Sequence, residues 1–166
     1  MNAGENLALA VDGSREWTLK LIADVSGDEW TFQPQEGVQH ILWLCGHLAC
    51  AEALLVLVRV GGGDNPDPEF SKHFPVGGPV KSAGQYDYPL PAAVRERMAA
   101  THDVVLEAIR GMNEQQLNEP CYGKHGKPHP HYTTKRGAID HCVRHEGFHA
   151  GQIAMLRRLM GKPFLR

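Results

Sequence analysis

The chain has 166 residues, 42% hydrophobic and 22% charged, which suits one soluble domain with a sizeable core. A formal charge of −2 gives no electrostatic reason to expect nucleic acid or an anionic membrane surface as partner. The compositional excess is histidine, with ten residues, which points to a metal, a proton-handling site or a His-rich loop.

Residues 5–25 carry Leu7, Val11, Ser14, Thr18, Leu21 and Val25 at the spacing of an amphipathic helix. Ser26-Gly27-Asp28 ends it, and Trp30, Phe32 and Pro34 cross to the next element. A second helix is expected from about Val38 to Val60, stopped by Gly61-Gly62-Gly63. Its stretch from Ile41 to Val60 is the longest apolar one in the chain. Gly46, His47, Glu52 and Arg59 interrupt it, so a buried helix is expected and a membrane span is not. Residues 61–91, rich in Gly, Pro and Asp, read as a crossover loop. A third helix over 91–111 has an inner stripe of Val94, Met98, Thr101, Val105, Ile109 and Met112. A second loop, 112–133, holds Cys121, Tyr122, His125, His129, His131 and Tyr132. The fourth helix runs from about Thr134 to Met160 and stops at Gly161-Lys162-Pro163. No segment reads as a strand. The expected architecture is all-α: a four-helix bundle with long crossover connections, in a single domain over 1–166.

Cys45, Cys50, Cys121 and Cys142 show no C-x-x-C spacing, and three of them lie inside apolar helical patterns. They read as reduced thiols of a cytoplasmic protein, and the N-terminus lacks the pattern of a signal peptide. The second helix is apolar almost all round: besides the face that carries His47, Leu42, Ala49, Val56 and Val60 form another stripe. Such a helix is buried on several sides or contributes to an interface, and a homodimer is expected.

The histidines cluster by face. On a helix turning ~100° per residue, with His141 at zero, His145 falls near ~40° and His149 near ~80°. Ala138, Cys142, Phe148, Gln152, Leu156 and Leu159 share that sector, whereas Arg144 and Arg158 lie opposite. Two imidazoles in a core stripe are costly unless their nitrogens are satisfied, and a metal ion does this. His47 shares its face with Trp43, Leu44, Ala51, Leu54, Leu55 and Val58, again mid-stripe. His47, His145 and His149 together offer three ligands and leave other positions for water or substrate, the open arrangement of a catalytic metal. Hydrogen-bonded packing is the alternative for any one of them. His141, one turn earlier, is expected to line the pocket or support the ligands. His40, near the helix start, is expected to cap it or line the pocket mouth, with Trp43 beside it. His102, on the inner stripe of the third helix, is a candidate for packing or for the pocket. His125, His129 and His131 belong to a solvated loop or to a lid facing the substrate.

His145-Glu146-Gly147-Phe148-His149 also matches the H-E-x-x-H signature of zinc peptidases, with Glu146 as general base. The rest of that signature fails. A third histidine is missing, since Gln152 and Met155 occupy the relevant positions, and no acidic residue follows His149. Glu146 remains a candidate base or a support behind the ligands, and Gln152, one turn beyond His149, a donor to a ligand or to bound water.

Trp43-Leu44-Cys45-Gly46-His47-Leu48-Ala49, paired with His145-Glu146-Gly147-Phe148-His149-Ala150-Gly151-Gln152, resembles the DinB/YfiT-like superfamily over essentially the whole chain. The resemblance implies a four-helix bundle that binds a divalent metal through three histidines, here His47, His145 and His149. Characterised relatives include thiol S-transferases that use low-molecular-weight thiols and a mycothiol-dependent maleylpyruvate isomerase. The expected function is therefore that of a metal-dependent transferase or isomerase acting with a small thiol on a small electrophilic substrate. The alternatives are a non-catalytic metal-binding stress-response bundle and a metal-dependent hydrolase. Zinc is the expected cofactor, and nickel and iron also suit imidazole ligands.

Overall fold

The computed structural model describes residues 2–123, 127, 129 and 131–165. Among them there is no strand, only two isolated bridges, Gly37 with Val80 and Pro120 with Thr134. The expected all-α class holds. His125 lies outside the described residues.

Helix α1 (Ala3–Ile22) starts at a capping box: Asn2 accepts from the Glu5 amide at 2.8 Å, and Glu5 accepts from the Asn2 amide at 2.7 Å. Leu7, Val11, Thr18 and Leu21 are buried as the stripe predicts, and Val25 stays buried just beyond the helix end. Ser14 is only half-buried and bonds back to the Val11 carbonyl; the buried residue at that turn is Arg15. A 3₁₀ turn, Gly27–Thr31, seats Trp30 in the core.

Helix α2 (Ile41–Glu52) begins at His40, whose Nδ1 accepts from the Trp43 amide at 3.1 Å. His40 is thus the cap, fully buried, with its pKa pushed down to about 4 by burial; the carbonyls of Lys81 and Trp30 only partly offset this. The sequence predicts one continuous helix to Val60, but from Ala53 to Val60 the chain winds as a π-helix. At its end the Gly61 amide reaches the Val56 carbonyl, five residues back, at 2.9 Å. Leu42, Ala49, Val56 and Val60, a stripe that the sequence left open between burial and an interface, are all buried within the chain. The Ile41–Val60 segment is long and apolar enough to cross a membrane, but it is mostly buried inside the protein, as a core helix is.

The first connection holds a short helix, α3 (Pro68–Ser71), and then Phe74, which inserts against α2. A Cβ on Gly46 would sit 2.2 Å from the Phe74 ring, so only glycine allows this approach. Phe74 is buried and cannot swing away freely. Gly46→Ala is expected to cost about 1–3 kcal/mol by overpacking. Chemical denaturation checks this, and a variant as stable as the wild type would show that the ring yields.

Helix α4 (Pro91–Arg110) buries Val94, Met98, Thr101, Val105 and Ile109 as predicted. A single helical turn, α5 (Glu114–Leu117), interrupts the second connection. Helix α6 (Lys135–Leu159) is capped by Thr134, whose hydroxyl accepts from the Gly137 amide at 3.1 Å. α1 packs on α6 and α4, α2 packs on α4 and α6, and the π-helical segment packs on α6 and α4. His47 on α2 is thereby brought against His145 and His149 on α6.

Candidate metal centre

His47 sits mid-way along α2, buried, with its ring stacked on Trp43 at a centroid distance of 4.8 Å and 8° between planes. His145 and His149 lie one turn apart on α6, ring centroids 4.4 Å apart. Their Nε2 atoms converge: 3.2 Å from His47 to His145 and 3.1 Å from His149 to His145. One ligand atom from each residue falls within 4.8 Å of the others.

Bare imidazole nitrogens this close repel unless a proton or a metal ion lies between them. Zinc held at 2.0–2.1 Å by tetrahedral nitrogens sets those nitrogens ~3.3 Å apart, near the two separations seen. Protonation is suppressed as well. Burial, and then the charges His145 and His149 would carry, push the His47 pKa down to about 3. Burial, followed by His149 and His141, brings His145 to about 4. Burial lowers His149 too, against a partial offset from Gln152. All three rings are therefore neutral at pH 7 and carry lone pairs, as metal ligation requires.

Gln152 fixes one of those lone pairs. Its Oε1 lies 2.6 Å from His149 Nδ1, so Nδ1 carries the proton and Nε2 is left bare toward the cluster. No such partner reaches Nδ1 of His47, which is buried without a hydrogen bond and is held instead by the Trp43 stack.

A surface cleft of about 390 Å³ opens at His47 and His145, with His141, Cys50, Leu54 and Phe74 in its walls. His141 lies in the wall of this cleft, one turn before His145. His131 stacks over His141 at 6.0 Å and His129 over Tyr132 at 3.9 Å, so the second connection reaches the cleft wall.

Two site candidates take other places: Glu146, offered as a base, and His102, for which packing rather than the pocket holds. Glu146 is not a free base: it is buried at 3% exposure, and both its oxygens are taken by Arg15, at 3.0 and 3.1 Å. His102 is not in the cleft. Its Nδ1 meets Glu52 at 2.7 Å and its Nε2 meets Asp12 at 3.1 Å, in an ionic cluster with Arg15. Arg15 went unnoticed in the sequence, and Glu52 stood out only as a break in an apolar helix. The available signals were a basic residue beside the inner stripe of α1 and one carboxylate on an otherwise apolar helix.

His102 carries a pH signature. Burial alone would lower its pKa, but the bonds to Glu52 and Asp12 and the charge of Glu52 outweigh it, with the Arg15 charge opposing more weakly, and the net shift is upward. A raised folded-state pKa gives stability that is complete below the unfolded value, roughly 6.5, and is lost as pH rises through the folded value. The depressed histidines act in the opposite direction, so the expected result concerns a difference. The stability gap between wild type and His102→Gln, measured by denaturant titration across pH 5–9, is largest at the acid end and narrows as pH rises. A gap that does not change with pH contradicts the charge assignment.

Among comparisons with known proteins, no curated protein matches the chain. A crystal structure described as the conserved protein of locus from Enterococcus faecalis superposes with a TM-score of 0.75. The match covers 98% of this chain and 99% of that one at 16% sequence identity, which is a likeness of fold. The family profile of the DinB superfamily matches residues 10–153, a span that includes His47, His145 and His149. The protein belongs to the DinB superfamily.

Proposed function

We propose that this protein is a four-helix bundle that binds a divalent metal through His47, His145 and His149 and uses it as a thiol S-transferase or thiol-dependent isomerase. The observation that carries the reading is the convergence of three neutral Nε2 atoms, two of them on rings that line a cleft, those of His47 and His145. Three nitrogens leave at least one coordination position for an exogenous ligand, whereas structural zinc sites are closed by four protein ligands. When bound, such an ion keeps its positive charge and supplies stabilisation of a thiolate at neutral pH.

The chain's own residues divide the remaining work. Gln152 holds the tautomer of His149, and Trp43 holds the ring plane of His47. Leu54, Phe74 and Val76 give the cleft an apolar wall suited to a small electrophile. Burial, followed by the charge of Arg144, lowers the His141 pKa. His141 is therefore neutral at pH 7 and can take the proton that an incoming thiol gives up. The four cysteines are free, and burial pushes Cys45 up to about 12, so none of them is a ready thiolate. The thiol comes from outside the chain.

Zinc is the metal of first choice, with nickel and iron as the others that imidazole ligands suit. Hydrolysis with Glu146 as base is disfavoured by its engagement with Arg15. A homodimer also belongs to this reading. With the α2 stripe covered, the apolar side chains left exposed to such a contact along α6 are Phe148, Met155 and Leu159; sedimentation that finds only monomer at micromolar concentration contradicts it.

The test is a conjugation assay with an electrophilic dye and several cellular thiols, run on zinc-loaded and chelator-treated protein. Metal-dependent conjugation with one thiol supports the proposal. Rates equal to the chelated control with every thiol contradict it.

A further inference from the structure

The three candidate ligands come from two helices, and the residues that close the cluster are 98 positions apart in sequence. Their Nε2 separations therefore depend on how α2 and α6 are set against each other. Apolar packing alone leaves such a setting soft, because cores of the right volume lose uniqueness before they lose stability.

One side chain fixes it. The Arg15 guanidinium, from α1, makes two bonds to the Glu146 carboxylate on α6 and one to Glu52 Oε2 on α2 at 3.0 Å. Its Nη1 also donates to the Met98 carbonyl on α4 at 3.3 Å. A single planar group thus touches the other three long helices. Glu146 directly follows His145, and Glu52 lies just over one turn beyond His47. The second oxygen of Glu52 is held by His102, so that carboxylate cannot turn to follow a shifted partner. Arg15 and Glu52 are each 2% exposed. Paired forks of this kind are directional as well as strong. A slip of α6 by one residue, ~1.5 Å, would break the fork.

We infer that Arg15, Glu52 and Glu146 are positioning residues of the histidine centre: their buried guanidinium–carboxylate hub sets α2 against α6 so that the three Nε2 atoms converge. This rests on the reading of His47, His145 and His149 as metal ligands. It also gives the Glu of the H-E-x-x-H segment a role unlike that of a peptidase base.

The test uses Glu146→Gln and Glu52→Gln, each loosening one arm of the hub while keeping its shape. Zinc affinity is read by competition with a chromophoric chelator, cobalt coordination by visible absorption, and folding by circular dichroism. Folded variants are expected to bind zinc roughly 10–100-fold more weakly, the usual effect of losing support behind a ligand, and to show an altered cobalt spectrum. Wild-type affinity with a wild-type cobalt spectrum overturns the inference, even if the unfolding midpoint falls, since that is all a merely structural hub would do. Should both variants fail to fold, the triple replacement Arg15→Met, Glu52→Leu and Glu146→Leu fills the hub with apolar groups and is read by the same outcomes. Wild-type protein that binds neither zinc nor cobalt overturns the metal reading itself.

Discussion

Arg15→Met is expected to lower folding stability by about 3–5 kcal/mol, the cost of leaving buried charges without their partner. The substitution strips Glu146 of both its bonds and Glu52 of one. Both carboxylates lie where water does not reach, at 3% and 2% exposure. A domain of this size is stable by about 5–15 kcal/mol, so the loss takes a large share of the total. Urea denaturation at neutral pH measures it. A change below about 1 kcal/mol would mean that the hub is hydrated or that its carboxylates find other partners.

The second large effect is at His145. Its Nε2 is the atom that lies 3.2 Å from His47 and 3.1 Å from His149, so removing it dissolves the cluster. His145→Ala is expected to weaken metal binding well beyond the roughly 10–100-fold typical of an outer-shell loss and to leave no stoichiometric ion at micromolar protein. The fold should survive, because what is lost is a partly exposed ring at a cleft wall. His141→Ala, one turn away on the same helix, is the matched control and should keep the metal. Calorimetric zinc titration of the two variants separates them. Equal binding by both would remove His145 from the ligand set.

What the sequence revealed and what it hid follow from the range of each interaction. Helical periodicity is local, so the long helices, their caps and the shared face of His145 and His149 could be read directly. His47 could be read because a histidine in a stripe of Trp43, Leu44, Leu54 and Leu55 is out of place unless something satisfies it. Gln152 lies one turn from His149, and its contact is equally local. Glu146 was left open between base and support for the opposite reason: its partner Arg15 lies 131 positions away, and nothing near Glu146 announces it. His102 was left between packing and the pocket because its partners Glu52 and Asp12 are 50 and 90 positions distant. The α2 stripe of Leu42, Ala49, Val56 and Val60 is a further case. An apolar face looks the same in sequence whether its own chain or another covers it, and here the chain covers it. The π winding after Glu52 leaves no mark in composition, since Ala53–Val60 is as apolar as the helix before it.

The central claim, that His47, His145 and His149 form one metal site, is tested most directly by elemental analysis of protein purified without an affinity tag and then loaded with zinc. One divalent ion per chain in the wild type, absent from His145→Ala, is the expected result. A wild type that retains no metal, or a His145→Ala variant that retains a full equivalent, would contradict it.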